Sequence, residues 1–129
     1  MWNFRDKIHK SVSDGNVVEV IEVDGVRSLY LGSTTIQSSM RVKAPFALEL
    51  AYSRGMMCFL LFSNTVKHAL SIGLGGGSVQ KYIYATCEDI QQAVVEINPQ
   101  VIATAHSHFY VPEHDARLNI IETDGIAYL

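Results

Sequence analysis

The feature that most limits how this chain can fold is a short apolar run that stops in a cluster of glycines. Ala69-Leu70-Ser71-Ile72 leads directly into Gly73-Leu74-Gly75-Gly76-Gly77-Ser78, and Val79 to Thr86 follows with helical character. A strand, a glycine turn and a helix in that order bring backbone N–H groups and a helix N-terminus to one point, which is the layout of a nucleotide-binding turn. Without a Cβ the backbone there turns sharply and lets a ligand come close. Plain turns also use glycine clusters, so the rest of the chain has to decide between the two. The dinucleotide fingerprint G-x-G-x-x-G would need a third glycine where Ser78 stands, which disfavours a dinucleotide.

The alternation continues downstream. Ala93-Val94-Val95-Glu96-Ile97 reads as a second strand, Asn98 as a cap with Pro99 in the first turn, and a helix is expected through about His108. After the polar stretch Pro112 to Arg117, Leu118 to Glu122 forms a third strand that ends at Thr123-Asp124-Gly125. Strands alternating with helices predict a parallel sheet with right-handed crossovers. The N-terminal third differs. Val17 to Val23 and Val26 to Leu31 flank Asp24-Gly25, the signal for an antiparallel hairpin. Gly32 to Lys43 is polar and without steady period, and reads as an irregular extension. Pro45 is expected to open a helix over Phe46 to Phe62, where apolar residues recur at roughly helical spacing. The fold class is thus α/β, with a small antiparallel β region at 1–44 and a nucleotide-binding α/β unit at 45–129.

Ligands of such sheets bind outside the carboxyl ends of the strands, so the residues just after each strand are the candidates. After the first strand stand Gly73, Gly75, Gly76 and Gly77. After the second, Glu96 emerges about 20 residues beyond the glycines, where an acidic side chain can accept hydrogen bonds from the ribose hydroxyls of an adenosine. After the third, Asp124 could accept from an adenine amino group. Each has a plainer reading, Glu96 as an exposed strand-end glutamate and Asp124 as a turn or helix cap. Their joint position at three successive strand ends favours an adenosine site.

Other chemistries fit less well. Lys plus Arg number 10 against 13 for Asp plus Glu, a formal charge of −3, with no basic cluster of the kind nucleic-acid binding needs. The longest apolar run, Met56 to Phe62, is far short of the roughly 20 residues of a membrane-spanning helix. The opening Met1 to Lys7 lacks a secretory layout, so a cytoplasmic location is expected. Cys58 and Cys87 have no CxxC spacing and read as reduced packing residues. His106, His108, His114 and Asp115 superficially suggest a zinc site, but His106 and His108 fall two apart on a helix and face different ways, so no metal is expected. Ser38, Ser39 and Ser53 lack the G-x-S-x-G elbow of a hydrolase.

Three segments, LSIGLGGGSVQKYIY, AVVEINPQVIATAHSHF and DARLNIIETDG, carry a resemblance. They are similar to the glycine loop, the V-E-I-D-P-x-V-I segment and the D-P-R-L strand of the spermidine synthase-like polyamine aminopropyltransferases. The hairpin VVEVIEVDGVRSLYLG with TTIQSS resembles that family's small N-terminal β domain. The resemblance implies the first half of a Rossmann-like, methyltransferase-type parallel sheet. It also implies decarboxylated S-adenosylmethionine or S-adenosylmethionine as the nucleotide substrate, and a polyamine as the other partner. By it, Gly73, Gly75 and Gly77 would line the methionine portion, Glu96 would hold the ribose, Asp124 would face the adenine, and Gln37 and Tyr52 would lie near the substrate. The chain departs from the family at Ser78, which stands where an acidic residue belongs, and at Asn98. Tyr52-Ser53-Arg54 stands in place of Y-H-E, with Arg54 bringing a positive charge toward a cationic amine. The family's catalytic carboxylates lie on a fourth strand beyond Leu129, so no catalytic base can be named and turnover by this chain alone is not expected. A non-catalytic nucleotide-binding module and a methyltransferase of the same fold are the alternatives; the hairpin and Gln37 argue against the methyltransferase. The first strand, left as an apolar edge, predicts self-association into a homo-oligomer.

Overall fold

The computed structural model describes residues 5–129, and the opening residues on which the reading of the N-terminus partly rests, Met1 to Phe4, lie outside them. The first sheet is antiparallel, in the order β1 (Arg5–Ser13), β2 (Asn16–Val23), β3 (Val26–Tyr30), β4 (Ile36–Arg41). The Asp24-Gly25 hairpin forms as expected, with Val23 paired to Val26. The sequence reading stops short on either side of it. β1 is a polar edge strand, RDKIHKSVS, joined to β2 by Asp14-Gly15. That turn repeats the chemistry of Asp24-Gly25: both residues of each pair sit at positive φ, the conformation a tight hairpin turn requires.

Gly32 to Lys43 is not irregular throughout, because Ile36–Arg41 pairs with β3. Its polarity conceals a buried strand. Ser38 and Ser39 are buried and their hydroxyls are satisfied, Ser39 by Ser28 at 2.8 Å and Ser38 by Ser78 at 3.0 Å.

The expected long helix over Phe46 to Phe62 is also corrected. Residues 45–50 are turn, bend and irregular backbone, α1 spans only Ala51–Met56, and a 3₁₀ turn covers Met57–Leu61. Pro45 therefore precedes a turn rather than a helix, Leu50 caps α1 without a side-chain hydrogen bond, and Gly55 weakens its interior.

The second sheet is parallel, ordered β5 (His68–Ile72), β6 (Gln91–Glu96), β7 (Leu118–Glu122). α2 (Ser78–Thr86) and α3 (Pro99–His108) are the crossovers, and the short α4 (Gly125–Tyr128) follows β7. Asn98 caps α3 through its side chain, with Pro99 in the first turn, as the sequence predicts. Val94 and Leu118 pack under Ala105 of α3 and under Leu74.

The two sheets share a core through α3. Val101 and Phe109 are buried with Val18, Val20, Leu29 and Met40 of the antiparallel sheet. Burying a phenylalanine fully is worth on the order of 2–3 kcal/mol, so Phe109 is a principal tie between the halves. Polar contacts reinforce it: Ser11 Oγ donates to Gln100 Oε1 at 2.9 Å, Arg27 donates to the His108 carbonyl at 2.8 Å, and His9 stacks on His108 with ring centroids 4.5 Å apart. No helix among the described residues is long and apolar enough to cross a membrane.

Candidate functional site

A cleft of about 410 Å³ opens between the antiparallel sheet, α1 and the carboxyl end of β5. It brings together residues distant in sequence: Gln37 and Ser38 from β4, Tyr52 from α1, and Gly73 and Gly75 from the glycine turn. Of the sequence-predicted residues, Gln37, Tyr52, Gly73 and Gly75 thus share one space. The Tyr52 hydroxyl donates to the Gln37 carbonyl at 3.1 Å, and Arg41 holds Glu49 through two N–H groups, the shorter contact at 2.7 Å, so α1 is fastened to β4.

Glu96 lies on the far side of the turn. Its Oε2 accepts from Leu74 N and its Oε1 from Asn98 N, both at 2.9 Å. The carboxylate therefore fixes the glycine turn to the start of α3, and of its roughly four acceptor positions about two remain for a ligand. Asp124 caps α4, its Oδ1 accepting from Ile126 N at 2.8 Å and Ala127 N at 3.0 Å, which is the plainer of its two sequence readings. Its Oδ2 takes no part in that cap. Gly125 approaches Ile72 so closely that a Cβ there would meet Ile72 Cγ2 at 2.6 Å, which brings the Asp124 turn to the end of β5.

Gly77 does not line the cleft. It sits at φ +68 as the cap of α2, and a Cβ on it would meet Val111 Cγ2 at 2.5 Å. A Cβ on Gly76 would meet Ser38 Oγ at 2.7 Å and Phe109 Cδ1 at 2.9 Å. These two glycines let the turn press against β4 and α3; they shape the cleft from behind.

The remaining sequence candidates scatter. Arg54 donates to the Leu48 and Glu49 carbonyls and does not line the cleft. His106 Nδ1 lies 2.9 Å from the Val111 carbonyl oxygen, His108 stacks on His9, and Asp115 accepts from the Tyr84 hydroxyl at 2.6 Å. No group of three or more His, Cys, Asp or Glu residues among those described could hold a metal ion. Sequence reasoning missed Ser38 and Gln80 as cleft residues. Recognising β4 as a strand would have found Ser38; nothing in the sequence distinguishes Gln80 from a surface helix residue.

A scan against protein-family models finds no match. The polyamine aminopropyltransferase of Chromobacterium violaceum is 46% identical over 129 residues, which is 100% of this chain and 49% of the relative. The chain thus spans about half the length of the curated relatives it matches. Among solved structures, spermidine synthase from Thermotoga maritima superposes with a TM-score of 0.72 at 19% identity, covering 95% of this chain and 41% of that one. A spermidine synthase in complex with the transition-state analogue AdoDATO also gives 0.72 at 19% identity, over 95% and 42%. These likenesses confirm the α/β fold, an antiparallel sheet followed by a parallel one.

Proposed function

Because the chain belongs to the spermidine synthase-like polyamine aminopropyltransferases, we propose that its cleft and glycine turn bind the nucleoside part of decarboxylated S-adenosylmethionine or S-adenosylmethionine, as the donor side of an aminopropyl transfer to an amine. The observation that carries this reading is the Glu96 carboxylate, held by Leu74 N and Asn98 N at the end of β6 with acceptor capacity to spare. A ribose offers two adjacent hydroxyl donors, the complement of that remaining capacity. In this reading Asp124 takes the adenine amino group through the oxygen it does not use as a cap. Gly73 and Gly75 pass the sulfur-bearing arm into the cleft, and Gln37 and Tyr52 form the opposite wall.

In the transfer itself, a neutral amine attacks the carbon next to the sulfonium. The carbon–sulfur bond breaks, its electron pair stays on sulfur, the amine loses a proton, and methylthioadenosine leaves as a neutral thioether. Alignment of nucleophile and leaving group supplies most of the acceleration in such a step. The complex of a structural neighbour with AdoDATO supports a nucleotide of this kind in this fold.

Titration calorimetry with methylthioadenosine tests the reading. The unmodified chain should bind, and Glu96→Ala should weaken binding by about tenfold or more, since hydrogen bonds to a charged acceptor are lost. Equal affinity in the two proteins, with both shown folded by circular dichroism, would refute it.

A further inference from the structure

Gln80 is a polar side chain of the cleft that the reading above leaves unused. It is only 6% exposed, yet it lines the cleft beside Gly73 and Gly75. Its Nε2 donates to the Gly73 carbonyl oxygen at 3.3 Å. A carbonyl can only accept, so this contact fixes which end of the amide faces the turn. The other end, Oε1, accepts no hydrogen bond among the described residues. The residue is held from behind as well: buried Gln92 on β6 donates its Nε2 to the Gln80 main-chain oxygen at 3.0 Å. Gln80 therefore stands rigidly under the turn, with one donor committed to the protein and one acceptor left for whatever occupies the cleft. Oε1 is not among the fully buried unpaired atoms of the described residues, so it keeps contact with water in the open cleft and can exchange that water for a ligand donor.

The surroundings limit what that donor can be. The other polar lining comes from Gln37, Ser38, Tyr52, Ser53, Ser71 and Ser78, and no Asp, Glu, Lys or Arg among the described residues contributes. The cleft thus offers dipoles and no fixed charge.

We propose that Gln80 Oε1 accepts a hydrogen bond from the primary amine that ends the side arm of the nucleotide, so that Gln80 is a specificity-determining residue for an amine-ended arm. The inference rests on the adenosine reading of the cleft. An arm ending in methyl leaves Oε1 unpaired, and a carboxylate in the same place sets acceptor against acceptor.

The experiment compares two ligands with the same neutral thioether, S-adenosylthiopropylamine, which carries the aminopropyl arm, and methylthioadenosine, which carries only methyl. Affinities are measured by titration calorimetry for the unmodified chain and for Gln80→Met, which keeps length and packing while removing donor and acceptor. The unmodified chain should prefer the amine by about tenfold, and in Gln80→Met that preference should fall to near unity. Loss of the Gly73 clamp weakens both ligands alike and cancels in the ratio, so a merely structural role would leave the preference intact. Gln80→Glu provides a second variant, in which a carboxylate facing the amine should raise the preference above that of the unmodified chain. A preference unchanged in Gln80→Met, or absent from an unmodified chain that binds both ligands, overturns the assignment alone. Failure of the unmodified chain to bind either ligand overturns the adenosine reading and this assignment together.

Discussion

Lys81 offers a sharp test of how α2 is fastened to the end of α3. It lies on α2, is 1% exposed, and its Nζ donates to the Phe109 carbonyl at 2.7 Å at the end of α3. Burial lowers its pKa from 10.5 to about 8. An unfolded lysine holds its proton until about 10.5, whereas the folded one releases it near 8, so across that window the unfolded state binds more protons and stability rises with pH. The shift corresponds to about 3 kcal/mol that the folded chain forgoes at neutral pH. Lys81→Met removes the penalty and also leaves the Phe109 carbonyl without its donor, a cost of about 1 kcal/mol. The variant should therefore be more stable than the unmodified chain by about 2 kcal/mol at pH 7 and less stable by about 1 kcal/mol near pH 10.5. Urea unfolding followed by circular dichroism at several pH values reads the difference, in which the titration of every other group cancels. A variant that is less stable at pH 7, by an amount that does not change up to pH 10.5, would show that Lys81 stays charged in the fold and would refute the reasoning.

Two further outcomes follow from the same contacts. The pKa of His108 is lowered by burial first, then by the neighbouring His9 and Arg27. The unfolded state then takes up protons first, so stability should fall as pH drops through about 6.5, and His108→Gln should flatten that loss in urea melts between pH 7 and pH 5. Among the described residues β5 pairs only with β6, and Leu70 and Ile72 on it are 46% and 60% exposed. Such an apolar edge is a template for pairing with another chain, so light scattering at micromolar concentration should show species larger than a monomer, and a stable monomer would contradict this.

Much of the parallel sheet is legible in the sequence because each of its signals is local: an apolar run, a glycine turn, the Asn98-Pro99 cap. The antiparallel sheet is only half legible. β1 is charged and exposed, so period and hydrophobicity are silent there, and only the turn chemistry of Asp14-Gly15 marks it. β4 hides because Ser38 and Ser39 are buried through paired hydroxyls, a fact that depends on partners about 40 residues away in one case, Ser78, and on the adjacent strand in the other. The α1 region misleads in the opposite direction. Its apolar residues recur at helical spacing, but the backbone there is a turn, a short helix and a 3₁₀ segment, and Leu48, Met57 and Phe59 reach one shared cluster without a continuous helix. Within the candidate site, Glu96, Gly73 and Gly75 stand at the strand ends where the sequence places them. Gly76 and Gly77 prove to serve close packing against Ser38, Phe109 and Val111, which only the three-dimensional approach reveals. Lys81 and Gln80 read as ordinary helix polarity, and their partners lie outside the helix, the Phe109 carbonyl for Lys81 and Gly73 and Gln92 for Gln80, which no local pattern encodes.

The central claim is that the ends of β5, β6 and β7 form one adenosine site. A crystal structure of the chain grown with methylthioadenosine tests it most directly. The account predicts both ribose hydroxyls within hydrogen-bond distance of Glu96, the adenine amino group at Asp124, and the sulfur beside Gly73 and Gly75 facing the cleft. A nucleoside bound elsewhere on the chain, with Glu96 contacting only Leu74 N and Asn98 N, would contradict it.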